Sequence, residues 1–178
     1  MATGFFPLLS SARGPRTGVR QLIEIKDKTT GEVLHSVDAK RLDKANLAGL
    51  TLRCADLSSK SLSFANLRQA DLVQADFSFA NLSSADLTDA VLWRATLNCT
   101  MLISAVLGNC DLREAMLRNA SLYQADLRGA TLEGATLLGT DLSGVDLSET
   151  AIAGAIYNKH TRWPTGFDPE AEGAVLQD

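Results

Sequence analysis

Leucine recurs at every fifth residue over most of this 178-residue chain. The register runs from Leu42 to Tyr157, and 21 of its 24 positions are Leu, the exceptions being Phe77, Ile152 and Tyr157. Five residues advance by ~500° around an α-helix, so the leucines would form no stripe on one face. In a flat strand they would alternate between the two faces. They can share one core only if the backbone turns a similar corner every five residues, which predicts a coil wound around a filled interior.

The residues around each leucine support this interpretation. The position two before the Leu is Ala at 16 of the 23 sites from Ala45 to Ala155, and a small residue beside a large one suits a narrow, close-packed interior. The position directly before the Leu is Asp or Asn at eleven sites. These side chains bond to nearby backbone and favour turns. The two residues after each Leu are mostly polar, which indicates a solvated outer face.

Several units follow one five-residue pattern, A(D/N)LXX, as in Ala65-Asn66-Leu67-Arg68-Gln69, Ala75-Asp76-Phe77-Ser78-Phe79 and Ala125-Asp126-Leu127-Arg128-Gly129. In this pattern the chain resembles the pentapeptide-repeat family. The resemblance implies an all-β fold, a right-handed quadrilateral β-helix with one pentapeptide per side and twenty residues per coil. Residues 40–157 would then make between five and six coils.

A stack of coils exposes unpaired backbone at both ends and needs caps. At the N-terminal end, the alternation in 22–27 and 32–37 predicts two strands joined by a turn over 28–31, a β-hairpin cap within 21–39. This hairpin resembles the leader that precedes the repeats in some bacterial and phage members of the family. We expect residues 1–20 to form a flexible leader.

At the C-terminal end, residues 158–178 are expected to form the second cap. Tyr157, Trp163 and Phe167 are predicted to lie over the last coil and close its apolar interior. Asp168 suits a helix N-cap and Pro169 a first helical position, which predicts a short helix over 169–176. The stretch around Trp163 resembles C-terminal caps of cyanobacterial pentapeptide-repeat proteins. An alternative for this end of the rod is a homodimer contact.

Composition narrows the function. The net charge of −4 argues against direct nucleic-acid binding, and no apolar stretch is long enough to span a membrane. Three cysteines without metal spacing indicate a reduced, cytoplasmic protein. We expect no metal and no other cofactor. The first 23 residues lack acids and carry three arginines, so organellar or lumenal targeting is the alternative. His35 and His160 lie outside the repeats, no catalytic arrangement is suggested, and we expect no enzyme activity.

The outward positions mark two kinds of candidate surface. One side of the rod is the most acidic, with Asp86, Asp89, Asp126, Asp146 and Glu149. Large apolar residues at outward positions are unexpected and can mark a surface for a protein partner. They occur on two further sides, one with Val73, Val91 and Trp93, the other with Phe64, Met101, Ile103 and Tyr123.

These features favour a non-enzymatic scaffold or interaction module whose rigid rod presents a face to an unidentified protein. The family resemblance implies an alternative, a DNA mimic that binds a type II topoisomerase such as gyrase and protects or inhibits it. Two observations weaken that alternative. The register contains no inserted loop, and residues 41–155 hold 13 acids and 9 bases, which is only mildly acidic.

Overall fold

A computed structural model of the protein describes residues 22–177, so the predicted leader over 1–20 lies outside the described residues. Residues 22–177 form five short strands and no helix. Parallel bridges join each residue before an inward Leu to the residue twenty positions further on, from Asn46–Asn66 to Thr136–Ile156. The chain is therefore a β-helix with twenty residues per turn. The strands are β1 Leu22–Asp27, β2 Val33–Asp38, β3 Ala55–Asp56, β4 Ile156–Tyr157 and β5 Val175–Leu176.

The twenty-residue period places one pentapeptide on each of four sides. We name the sides by their first inward leucine: side 1 begins with Leu42, side 2 with Leu47, side 3 with Leu52 and side 4 with Leu57, and each repeats every twenty residues. Sides 1 and 3 are opposite, as are sides 2 and 4. Every register residue from Leu47 to Leu142 is at most 1% exposed, which confirms the predicted inward register.

The corners between sides lie at the second residue after each Leu. All of these residues, from Lys44 to Gly154, have a positive φ. Glycine suits this conformation at 129, 134, 139, 144 and 154, whereas Phe64 (59°) and Phe79 (61°) are bulky residues held in a left-handed conformation. Their amides donate to the next coil, Phe64 N to Ser83 O at 3.1 Å and Phe79 N to Asn98 O at 3.0 Å. Hydrogen bonding between coils thus overrides the local preference.

The Asp and Asn residues before the leucines stabilise the sides. The Oδ1 atom of each accepts a hydrogen bond from the amide two residues on, as between Asp76 and the Ser78 amide (2.8 Å) or Asn81 and the Ser83 amide (3.0 Å). This confirms the predicted bonding of these side chains to nearby backbone. An outward amide that has no such partner must bond to water or another group instead.

Polar residues at the inward alanine positions are satisfied within the core. The buried hydroxyls of Thr100 and Thr140 donate to carbonyl oxygens of the preceding coil, those of Phe77 and Leu117, both at 2.7 Å. The thiol of Cys110 donates to Leu87 O at 2.8 Å. Each buried donor therefore has a partner, so these exceptions to the alanine pattern carry no unpaired polar group.

β1 and β2 form an antiparallel hairpin against the first coil. Lys26 and Asp27 of β1 pair antiparallel with Asp56 and Ala55 of β3. Ile25 points into the core and is 1% exposed. The hairpin thus supplies backbone partners where side 4 has no earlier coil, and it covers part of the apolar interior.

The predicted helix over 169–176 is wrong. The Asp168 Oδ1 accepts from the amides of Glu170 and Ala171, but only turns follow, and the chain then enters β5. β5 pairs parallel with β4, and the Val175 amide donates to Ala155 O at 2.8 Å. A helix would have left the backbone of the last coil without partners. Pairing with β5 gives the backbone groups at that free edge their hydrogen-bond partners. This tertiary contact overrides the local preference for a helix.

Aromatic side chains lie beside this edge. The Trp163 ring meets Tyr157 edge-on at a centroid distance of 5.4 Å and stacks on Phe167 at 5.2 Å. The Tyr157 hydroxyl donates to Glu170 Oε1 at 3.2 Å. Trp163 and Phe167 are partly buried and pack against the main core. Among residues 22–177 there is no helix that is both long and apolar enough to span a membrane.

Candidate interaction surfaces

Side 2 carries the candidate acidic face, but its charges are partly compensated. Arg68 Nη1 lies 3.1 Å from Asp86 Oδ2, and Arg128 Nη2 lies 2.6 Å from Asp126 Oδ2. The hydrogen bond from Arg128 is the main cause that lowers the pKa of Asp126, which keeps this carboxylate ionised. Asp89 Oδ1 accepts from Asn109 Nδ2 at 3.1 Å. On this face Asp86 and Asp126 are thus paired with arginines, whereas Asp89 bonds to a neutral side-chain amide.

Asp146 and Glu149 extend this face toward the C-terminal end of the rod, where both are exposed. The pKa of Asp146 is lowered, chiefly by hydrogen bonds from the side chain and the amide of Ser148. Side 2 therefore presents negative charge along the rod, interrupted by Arg68 and Arg128. Asp86, Asp126 and Asp146 each accept a hydrogen bond from the amide two residues on, and Asp86 and Asp126 also form ion pairs with arginines.

Side 3 differs from the surface that its sequence suggested. Val73 is only 5% exposed, so its predicted exposure on the surface is wrong. The residue at the same register position one coil further on is Trp93, which is itself partly buried. The Arg94 guanidinium lies 4.4 Å from the centre of the Trp93 ring, and Trp93 Nε1 donates to Glu114 Oε1 at 3.3 Å. Trp93 is therefore covered in part by its sequence neighbour Arg94 and bonds to Glu114 of the next coil.

Arg94 completes this cluster by bonding Glu114 through Nε at 2.7 Å. The bonds from Arg94 and Trp93, in that order of importance, lower the pKa of Glu114. Trp93 thus has a cation above its ring and an acceptor for its indole N–H. Of the three apolar residues predicted here, Val91 is 37% exposed and offers only a small free apolar surface.

Side 1 carries the remaining apolar candidates, and all are exposed: Phe64 62%, Met101 43%, Ile103 38% and Tyr123 43%. Because sides 1 and 3 are opposite, the seven candidate residues do not form one continuous surface. From Ser61 to Gln124 the outward positions of side 1 carry no charge, whereas Arg41, Asp43 and Lys60 lie at one end of this stretch and Asp141 at the other. Its outward residues over four successive coils are Ser61, Ser63, Phe64, Asn81, Ser83, Ser84, Met101, Ile103, Ser104, Ser121, Tyr123 and Gln124.

Sequence reasoning missed Phe79, which at 66% is more exposed than Phe64. It lies at the corner between sides 4 and 1, beside the uncharged surface. It also missed Val106 and Met116, which are 38% and 40% exposed. The signal was available, because both stand directly before a Leu, where Asp or Asn is the most frequent choice.

The described residues show no arrangement suited to catalysis or metal binding. In the part of the chain from 22 to 177, no three His, Cys, Asp or Glu side chains are grouped to hold a metal ion. Burial is the main cause that raises the pKa of Cys110 to about 12, so this thiol stays protonated and unreactive. What the geometry offers is flat surface with distinct chemistry on each side.

One solved structure supports this fold, and two others are similar in sequence. A fragment of QnrB1, a plasmid-mediated fluoroquinolone resistance protein, matches over 75% of this chain and 65% of its own, with 21% identity and a TM-score of 0.66. The pentapeptide repeat protein alr5209 from Nostoc is 30% identical over 68% of this chain and 84% of its own, with a TM-score of 0.49. Rfr23 from the cyanobacterium Cyanothece is 39% identical over 58% of this chain and 64% of its own, with a TM-score of 0.37.

No curated protein sequence matches the chain. The model of the family described as pentapeptide repeats matches eight copies, within residues 41–78, 61–94, 95–134, 110–148 and 125–156. These matches cover more than half of the sequence, and with the solved structures they imply that the β-helix is right-handed. The chain belongs to the pentapeptide-repeat family.

Proposed function

We propose that this protein is a non-enzymatic interaction module whose rigid rod binds a protein partner through side 1. The observation that carries the proposal is the combination of exposed apolar side chains and absent charge at the outward positions of this side between Ser61 and Gln124. Interfaces are depleted of charge at their centres and enriched in aromatic residues and Met. Ser and Asn between the apolar residues supply hydrogen-bonding groups for a polar rim.

The fold does not require these apolar residues. Met101 stands where Asn81 stands one coil earlier, and Asn81 bonds the Ser83 amide at 3.0 Å. Methionine cannot accept that bond from the Ile103 amide. Phe64 occupies a left-handed corner that is sterically costly for a bulky residue. Local structure thus disfavours both residues, and a role in binding accounts for their presence.

A four-residue variant tests the proposal. Each substitution introduces the residue found one coil away at the same register position, so the fold should tolerate it: Phe64→Ser, Met101→Asn, Ile103→Ser and Tyr123→Ser. The matched control, Val91→Asp on side 3, introduces the residue present at positions 71 and 111. Partners recovered by the wild type and the control, but lost by a folded side 1 variant, support the proposal. Equal recovery by all three proteins contradicts it.

The alternative proposal is a DNA mimic that binds gyrase through side 2. The shared fold with QnrB1 and the carboxylates along this side favour it, whereas Arg68 and Arg128 weaken the negative field. Purified gyrase in a supercoiling assay discriminates the two proposals. Salt-sensitive inhibition or protection that is lost on Asp126→Asn with Asp146→Asn would favour side 2. Independence from both substitutions would remove this alternative.

The C-terminal end suggests a further proposal, a homodimer formed end to end. Val175 and Leu176 of β5 are 52% and 49% exposed, and β5 is the outer strand of its two-stranded sheet. Such an edge can pair with another chain. Val175→Lys with Leu176→Lys should convert a dimer to a monomer in sedimentation experiments. A wild-type protein that is monomeric at all concentrations tested would contradict this proposal.

A further inference from the structure

The C-terminal cap pairs with the last coil on three of its four sides. On side 1 the Leu142 amide donates to Arg162 O at 2.7 Å, and on side 3 the Gly154 amide donates to Gly173 O at 2.8 Å. On side 4 β5 pairs with β4. Side 2 is the side on which the cap adds no backbone pairing.

The last coil therefore keeps an open backbone edge on side 2. In earlier coils the groups on this side bond to the next coil, as between the Leu47 amide and Asn66 O at 2.8 Å. At the last coil the equivalent groups are the amides of Leu147 and Glu149 and the carbonyl oxygen of Val145. Among residues 22–177 these three groups have no hydrogen-bond partner. Such an edge can accept an additional strand.

The segment that carries this edge is also held loosely by the preceding coil. The Leu107 amide donates to Asp126 O at 2.8 Å, whereas the Leu127 amide, one coil later, makes no such bond within the described part of the chain. A parallel bridge still aligns Asp126 with Asp146, so the register is kept. A strand added at the open edge would thus supply backbone bonds that residues 145–149 lack on both sides.

A recess of about 520 Å³ lies at this edge, between the last coil and residues 164–167. Phe167 gives it an apolar wall, and three carboxylates line it, those of Asp146, Glu149 and Glu172. Among the described residues no Lys, Arg or His side chain lines the recess. Negative charge and an apolar surface therefore lie beside the unpaired backbone groups.

We propose that this edge binds an extended, basic segment of another protein by strand addition. The unpaired amides and carbonyl oxygen select an extended backbone, and hydrogen bonds to the main chain supply affinity in this mode of recognition. The carboxylates select Lys or Arg at alternate positions of that segment, because successive side chains of a strand point to opposite faces. The site is separate from the surface proposed on side 1, and β5 lies on the opposite side of the rod.

A second copy of the chain does not supply a matching segment. Its outer strands within residues 22–177 are β2 and β5, and neither contains a Lys or an Arg. Strand β1 contains Lys26 but is already paired on both edges, with β2 and with β3. The basic segment must therefore come from a different protein.

Three labelled peptides test the proposal by fluorescence anisotropy with the full chain at low salt. The first alternates Lys and Val, the second has Pro in place of Val, and the third has Glu in place of Lys. The Pro peptide keeps the charge but loses amide donors and ladder pairing. The Lys–Val peptide should bind roughly tenfold or more tightly than the Pro peptide, as expected for at least one backbone hydrogen bond. The Glu peptide should not bind.

A variant of the recess tests the charges. Glu149→Gln with Glu172→Gln should weaken binding of the Lys–Val peptide roughly three- to tenfold, as expected for two exposed ion pairs. The matched control, Met101→Asn with Ile103→Ser on side 1, should leave the affinity unchanged. The peptide experiment thus stands whether or not side 1 binds a partner.

Amide hydrogen exchange locates the bound peptide. At saturation the Lys–Val peptide should slow exchange of the Leu147 and Glu149 amides roughly tenfold, whereas the Leu176 amide on β5 should be unaffected. Equal affinities for the Lys–Val and Pro peptides would mean attraction by charge alone and would overturn the proposal. So would unchanged affinity in the Gln variant or slowed exchange at Leu176 instead. Protection of Leu147 that rises with protein concentration in the absence of peptide would assign the edge to a second copy.

Discussion

Trp163 allows a sharp test of how the C-terminal end is closed. Its ring contacts Tyr157 edge-on and stacks on Phe167, yet its Nε1 atom is buried and has no hydrogen-bond partner among residues 22–177. The side chain therefore combines favourable packing with a buried donor that is unsatisfied. Two substitutions separate these effects, because Trp163→Ala removes both, whereas Trp163→Phe keeps the ring contacts and removes only the donor.

The expected magnitudes differ clearly. Truncating a buried Trp to Ala costs ~3–5 kcal/mol, and Trp163→Ala should fall near the lower value because the residue is only partly buried. In Trp163→Phe, removing an unsatisfied donor gains ~1–3 kcal/mol. The smaller ring buries ~40 Å² less apolar surface, a loss of ~1 kcal/mol. Trp163→Phe should therefore match the wild type to within about 1 kcal/mol or exceed it.

Hydrogen exchange is the suitable assay, because a repeat protein can open locally at one end without unfolding throughout. The Ile156 amide, which donates to Ala135 O at 2.8 Å, reports on the last coil. A loss of ~3 kcal/mol in Trp163→Ala should accelerate its exchange by roughly 100-fold. The Leu92 amide, which donates to Asp111 O at 2.7 Å in the middle of the rod, is the internal control.

The reasoning would be refuted by either of two results. Ile156 exchange in Trp163→Ala that stays within a few-fold of the wild type would mean that the ring does not hold the end. Trp163→Phe as damaging as Trp163→Ala would mean that the indole N–H has a partner and contributes to stability.

Three other predictions concern the core, the thiols and acid stability. Leu92→Asp should abolish folding, because it places a charge in a fully buried position, whereas outward Ser83→Asp should leave the circular dichroism spectrum and melting temperature nearly unchanged. Cys110 should resist alkylation at pH 8, where two partly exposed thiols react: Cys54 and Cys99. The urea midpoint should be constant above pH 5 and should fall below pH 4. The folded state lowers the pKa of four carboxylates below the ordinary value of 3.8, so it gains stability that is lost as they become protonated. They are Asp111, Asp126, Asp141 and Asp146.

The repeat register was predictable because it depends only on inward positions. A residue such as Leu92 must be apolar wherever the chain winds with this period, so the pattern appears directly in the sequence. The structure of the two ends could not be predicted from the register in this way. Asp168 and Pro169 favour a helix locally, but the segment that follows pairs as β5 with the free backbone of the last coil. This backbone pairing competes with helix formation, and it can be seen only in the three-dimensional structure.

Surface positions were harder to predict for a related reason. The exposure of an outward residue depends on the residues twenty positions before and after it, which the linear order conceals. Val73 is buried although it stands at an outward position, and Trp93, one coil later, is held by Arg94 and Glu114. Phe79 is exposed because its neighbours at the same corner, Ser59 and Cys99, are too small to cover it.

The distribution of charge around the rod separates what the fold requires from what it does not. The β-helix constrains the inward positions and the turn residues, so charge at other outward positions can vary freely. Yet in the four coils that span the uncharged surface, eleven of thirteen ionised outward residues lie on sides 2 and 3, and only two lie on sides 4 and 1: Asp76 and Arg118. Folding provides no reason for this division. A rod that met only water would gain nothing from an uncharged side, whereas a rod that buries this side against another surface avoids the cost of desolvating charge there.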